Sequence, residues 1–183
     1  MRKNLPVTNQ RRTFGPEERL ISVTDTRGII VDCNEAFVAV SGYSKEELLG
    51  QPHNLVRHPD MPAAAYETMW RYLKQGKNWM GLVKNRCKNG DYYWVDAYVM
   101  PIFEKGQIVG YESVRCAPKE QDVTRAERLY QQINQGNTVA RRWPVEFGLA
   151  FFTLLLGCLA LWLGGLAALS WVLAAAALGW ALL

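Results

Sequence analysis

Apolar and polar residues alternate along Leu20–Asp25, break at Thr26-Arg27-Gly28 and resume in Ile29–Cys33. That rhythm predicts strand, tight turn, strand. Asn34 can then cap a short helix, "EAFVAVSG", ended by Gly42. Ser44–Glu47, "SKEE", is a capping box that opens a second short helix stopping at Gly50. After a loop, the pattern lengthens to a helical period between Pro62 and Lys74, where Tyr66, Trp70 and Leu73 share one face and Gly76 follows the end. Period two then returns in Trp79–Arg86, Tyr92–Met100 and Gln107–Arg115, the first two joined across Asn89-Gly90, a strong hairpin signal. Tyr92, Trp94, Tyr98 and Met100 fall on one face of their strand, which is either core or the wall of a binding site. The sum is an α+β domain: a five-stranded antiparallel sheet with short helices on one face and room for a pocket between the layers.

Beyond Pro118 the spacing of Val123, Ala126, Tyr130 and Ile133 is helical up to Gly136. Barely two heptads long, this connector either packs on the sheet or forms a dimer seam. From Phe147 to Leu183 no Lys, Arg, Asp, Glu or His occurs. One helix of that length would measure roughly 55 Å against a hydrocarbon core of about 30 Å. With Gly164-Gly165 near the middle, two arms, Phe147–Leu163 and Leu166–Leu183, are expected to form a transmembrane helical hairpin. Arg141 and Arg142 just before it put the N-terminal part in the cytoplasm by the positive-inside rule. The opening "MRKNLPVTNQRR" has no apolar run behind its charges and does not read as a signal peptide.

Composition narrows the chemistry. Net charge is +4, and no basic cluster is interleaved with aromatics, so nucleic acid is not an expected partner. Cys33, Cys87, Cys116 and Cys158 show no CxxC spacing and read as unpaired thiols of a reducing compartment. Both histidines of the chain lie in "GQPHNLVRHPDMP", Gly50–Pro62, where Arg57, His58 and Asp60 crowd together. They could grip an anionic ligand, but Asp60 is also suited to cap the following helix. A metal lacks the usual ligand spacing, haem would require His53 or His58 as its axial ligand, and no nucleophile with an adjacent base suggests an enzyme. Asn85, an amide in a strand interior, needs a polar partner if it is buried.

The element order, with "NEAFVAVSGYSKEELLG" early and "KNGDYYWVDAYVMPI" late, resembles the PAS sensor domain. More narrowly, "GQPHNLVRHPDMP" with "NWMGLVKNRCKNGDYYW" resembles the FAD-binding PAS domain of bacterial aerotaxis receptors. The resemblance implies FAD binding by Arg57, His58, Asp60, Trp79 and Asn85, with Asn34 contributing. Light-sensing relatives carry a reactive Cys and a second Asn where this chain has His53 and Val95, so cysteinyl-flavin photochemistry is not expected. The implied organisation is a flexible arm (1–18), a PAS sensor domain (19–118), a helical connector (119–142) and the transmembrane hairpin (147–183). The implied function is non-enzymatic: a homodimeric redox or oxygen sensor at the bacterial inner membrane, its PAS domain cytoplasmic, acting in aerotaxis or chemotaxis. The alternatives are a cofactor-free PAS scaffold and a haem-binding gas sensor. Aerotaxis receptors continue past their anchor into a relay module and a helical signalling domain. A chain ending at Leu183 is expected to be a fragment, or a short relative working through a separate partner.

Overall fold

The computed structural model describes residues 4–136. Five strands, β1 (Leu20–Asp25), β2 (Ile30–Cys33), β3 (Trp79–Arg86), β4 (Tyr92–Glu104) and β5 (Gln107–Cys116), form one antiparallel sheet in the order β2-β1-β5-β4-β3. Between β2 and β3 run α1 (Glu35–Ser41), α2 (Lys45–Leu48), a 3-10 turn at His53–Val56 and α3 (Ala63–Leu73). Helix α4 (Glu120–Asn134) follows the sheet. Among the described residues no helix is long and apolar enough to cross a membrane; the expected hairpin at 147–183 lies outside them.

Local signals act where they stand. Asn34 caps α1, accepting from Phe37 N, and Gly42 closes it in the left-handed conformation at φ 73°. Ser44 and Glu47 complete the capping box of α2. Asp60 does not cap α3: the N-cap is Pro62, with no side-chain bond, and the Asp60 carboxylate turns away. Strand β4 also runs past the expected stop at Pro101, which pairs with Tyr111 of β5. The β3 ladder ends at Trp79↔Val99, so beyond Val99 one side of β4 is an edge, where the missing proline N–H costs little.

The main core fills the space between the sheet and α1–α3 with Leu20, Ile30, Phe37, Leu48, Val56, Met61, Tyr93 and Val95. Tyr93 and Val95 point inward, so their neighbour Trp94 points outward, where Val123 and Ala126 of α4 bury it and Tyr130 stacks at 6.1 Å. The aromatic row of β4 is therefore no site wall at Trp94; it is the seat of α4. The connector packs on the sheet's outer face over this stretch.

Nor does the N-terminal arm hang loose over residues 4–12. Thr8 N donates to Gly90 O, Tyr92 N to Gln10 O and Arg12 N to Tyr92 O, a strap along the β3–β4 hairpin. Arg11 Nη1 donates to both carboxylate oxygens of Glu120, and the Arg12 guanidinium donates to the carbonyls of Ala39 and Val40. Backbone groups of the hairpin edge find partners here that the sheet does not supply.

Candidate functional site

A cavity of about 330 Å³ opens between α3, the 3-10 turn and the inner face of the sheet. Its walls are aromatic: Tyr66 and Trp70 from α3, Trp79 from β3 and Tyr111 from β5. Trp70 and Tyr111 meet edge to face at 5.3 Å. Trp79 lies along its own strand because residue 81 is glycine, where a Cβ would come within 2.6 Å of the indole. At the mouth, Gly28 (φ 81°) leaves space that a Cβ would take from Trp70, and Arg27 is largely exposed beside it, paired with Asp25.

The polar groups inside include cations, amides and hydroxyls. Arg57, 7% exposed, reaches the cavity with Nη2 donating to Met61 O at 2.8 Å and its guanidinium 4.2 Å from the Tyr66 ring centroid. Burial lowers its pKa from the ordinary arginine value and drives the Tyr66 phenol up to about 12. Opposite, Arg115 is 4% exposed and donates from Nη2 to His53 Nε2 at 2.7 Å and Ser22 Oγ at 3.1 Å. Burial brings its pKa down to about 10. His53 must then present its Nε2 lone pair, and burial with the Arg115 charge beside it pushes its pKa down to about 3. Among the described residues no carboxylate lines this cavity. Asn85 Nδ2 and Ser113 Oγ, both in the lining, are buried and find no hydrogen-bond partner there.

Of the residues expected at the site, the structure brings Arg57, Trp79 and Asn85 to the cavity. Asn34 does not line it. Its Oδ1 accepts from Ile21 N and Phe37 N, and its Nδ2 donates to Arg19 O, so the amide is used up tying α1 to β1. His58 and Asp60 also lie outside. Arg57 is extended (φ −71°, ψ 129°) and bridges Asn85 as a strand residue would. Successive side chains of extended backbone point to opposite faces, so 57 and 85 turn inward while 58 and 84 turn outward.

There Asp60 pairs with Lys84 Nζ at 2.7 Å, and His58 packs edge-on to Tyr92 with Nδ1 3.4 Å from the Asp60 carboxylate. Asp60 and Lys84 line a second cavity, of about 290 Å³, with Glu127, Tyr130 and Asn134 of α4. Tyr130 donates to Leu82 O at 2.6 Å and Asn134 Nδ2 to Asp60 O at 2.7 Å. One face of the 57–60 and 84–85 segments thus meets the main cavity and the other meets α4.

The residues the sequence reading missed are His53, as a hydrogen-bonding member of the wall, and Ser22, Ser113 and Arg115. A signal existed: Ser113 and Arg115 share parity with Tyr111 on β5, polar groups on a face that turns to the core.

With the geometry in view, known proteins sharpen its meaning. Residues 30–115 match the PAS fold family. The chain is 47% identical over 135 residues to an aerotaxis receptor of Escherichia coli, covering 74% of this chain and 27% of that protein. It is 30% identical over 120 residues to a nitrogen fixation regulatory protein of Klebsiella pneumoniae, covering 65% and 23%. The chain spans about a quarter of the length of these curated relatives. Among solved structures, a light-oxygen-voltage domain studied with a flavin analogue superposes with TM-score 0.55 at 23% identity, over 64% of this chain and 89% of its own. The dark state of the blue-light photoreceptor Aureochrome1 gives TM-score 0.54 at 22% identity, over 63% and 86%; these two likenesses show the fold alone.

Proposed function

Because this chain carries a PAS domain and resembles the aerotaxis receptors through it, we propose that it is a membrane-anchored, cytoplasmic-facing redox or oxygen sensor that binds FAD and signals in aerotaxis or chemotaxis. The observation that carries this reading is the pairing of unmet donors with buried cations. Asn85 Nδ2 and Ser113 Oγ lack partners, and Arg57 and Arg115 face the same cavity between aromatic walls. A flat, electron-rich ring with a carbonyl and imide edge satisfies Asn85 and Ser113 and sets electron density beside the two guanidinium groups, whereas an apolar filling would leave the amide and the hydroxyl unmet. The volume, at the low end of the range for ligand pockets, suits the tricyclic ring of a flavin. The remainder of a dinucleotide would leave by the mouth beside Arg27.

Bound flavin supplies one- and two-electron chemistry. The chain's own residues do the rest. Arg57, Arg115 and Asn85 would hold the ring's polar edge, Trp79 and Tyr66 would line its faces, and the apolar core would exclude water. His58 and Asp60 lie on the far side of that wall and Asn34 ties α1 to β1, so none of the three touches the ligand in this reading. Haem fits poorly, since the Nε2 lone pair of His53 already accepts from Arg115.

A change of charge in the cavity is felt by Arg57 and Asn85, whose sequence neighbours Asp60 and Lys84 meet Asn134 and Glu127 of α4. That route supports α4 as the output element, with the hairpin at 147–183 as anchor and a chemotaxis-type protein, in a homodimeric complex, as partner. Tyr130→Phe, which deletes the bond to Leu82 O, should raise amide exchange across Glu120–Asn134 about two- to tenfold. Unchanged exchange would mean that α4 is held without it.

The full chain, extracted from membranes and supplied with FAD, should be yellow, bleach with dithionite and recover in air. Asn85→Leu, similar in size and without the amide, should lose most of the colour while keeping its fold. Colourless wild-type protein would leave a cofactor-free scaffold as the account, and a Soret band would mean haem.

A further inference from the structure

The strap formed by the N-terminal residues ends directly behind the cavity. Asn4 is buried, 7% exposed, and its Nδ2 donates to Asn54 O at 2.8 Å and Arg57 O at 2.9 Å. Those two carbonyls bracket the segment from which Asn54 and Arg57 turn their side chains to the cavity. Two residues later, Pro6 O accepts from Arg86 Nε at 2.7 Å, and Arg86 adjoins Asn85. The strap therefore holds Arg57 directly and, through Arg86, the residue next to its bridge partner Asn85.

We propose that Asn4 is a positioning residue for the cavity: its amide fixes the backbone that aims Arg57, so strap attachment and ligand binding strengthen each other. Fixing Arg57 beforehand lowers the ordering cost of binding. By reciprocity the bound ligand must hold the strap down to the same degree. The ligand half of the inference rests on the flavin reading above; the positioning half does not.

The test uses the full chain, with FAD as the probe. Asn4→Leu keeps volume and removes both donors; Asn4→Ala gives the same reading should leucine fail to pack. FAD affinity and release rate are measured by flavin fluorescence. Amide exchange of residues 53–57 and 6–12 is followed in flavin-free and FAD-loaded protein. Loss of the two bonds is expected to weaken FAD about tenfold, mainly through faster release. Exchange at 53–57 in flavin-free protein should also quicken. In the wild type, FAD should slow exchange along 6–12; in Asn4→Leu it should not. The inference is overturned if the variant binds and releases FAD as the wild type does, or if FAD leaves strap exchange unaltered. A wild-type chain that takes up no FAD overturns the ligand half together with the flavin reading. The positioning half then falls if exchange at 53–57 is the same in variant and wild type.

Discussion

Replacing Arg115 with methionine is expected to raise or preserve the melting temperature of the flavin-free protein while weakening FAD by one to two orders of magnitude. The two effects have opposite signs because the guanidinium is a buried cation whose partners, His53, Ser22 and the Leu20 carbonyl, are neutral. Desolvating such a charge costs several kcal/mol, and exchanging buried ionic groups for apolar ones of similar volume is often neutral or stabilising by about 1–4 kcal/mol. The groups left behind are not orphaned. Ser22 Oγ already lies 3.1 Å from His53 Nε2 and can donate to it. At about 2–4 °C per kcal/mol for a chain of this size, the gain is measurable by thermal denaturation. The ligand, in contrast, loses a charged donor worth about 1.5–3 kcal/mol, hence the loss of roughly ten- to a hundredfold in an FAD titration. Affinity equal to the wild type would show that Arg115 does not face the ligand. A melting point lowered by many degrees would make it a structural residue.

Acid should unfold the flavin-free protein earlier than its carboxylates alone dictate. His53 is held neutral, its pKa pushed down to about 3 against an ordinary 6.5, by burial first and by Arg115 second. His58 is lowered to about 4 by burial and by Lys84, with Asp60 opposing. In the unfolded chain both take up protons near pH 6.5; in the folded protein they resist until well below that. The stability they supply is complete above about pH 6.5 and drains as pH falls toward 4, because there the unfolded state binds more protons. Each histidine contributes about 1.4 kcal/mol per pH unit at most. Carboxylates whose pKa the fold lowers, such as Asp25, begin to count only nearer pH 4, so the window from 6.5 to 4.5 isolates the histidines. Urea denaturation across that window should show stability falling by on the order of 1–3 kcal/mol per pH unit. His53→Gln, which can still accept from Arg115 but does not titrate, should remove about half of the slope. An unaltered slope would mean that His53 is not the group being forced to charge.

Much of this was readable from the chain, and the boundary has a physical cause. Caps and turns act over three or four residues, so Asn34, the Ser44–Glu47 box and Asn89-Gly90 declared themselves. Asn85 is conspicuous as an amide inside a strand, whereas Trp79 enters only through the family resemblance, since an aromatic in a strand serves a core equally well. Arg57, His58 and Asp60 were read as one inward-facing cluster since they are close in sequence. Extended backbone separates such neighbours onto opposite faces, and no local signal tells that the chain is extended there.

The alternation of apolar residues determined five strands and their helices, and with the quoted motifs it determined the PAS resemblance. Only the tertiary structure decided that β5 lies between β1 and β4. That pairing joins Leu20 to Arg115, across most of the domain, and pair contacts at such separations leave no periodic trace in either segment. Once β5 is central, Arg115 is buried on the inner face beside His53. A side chain that looks like surface charge in the sequence then becomes the cation at the floor of the cavity.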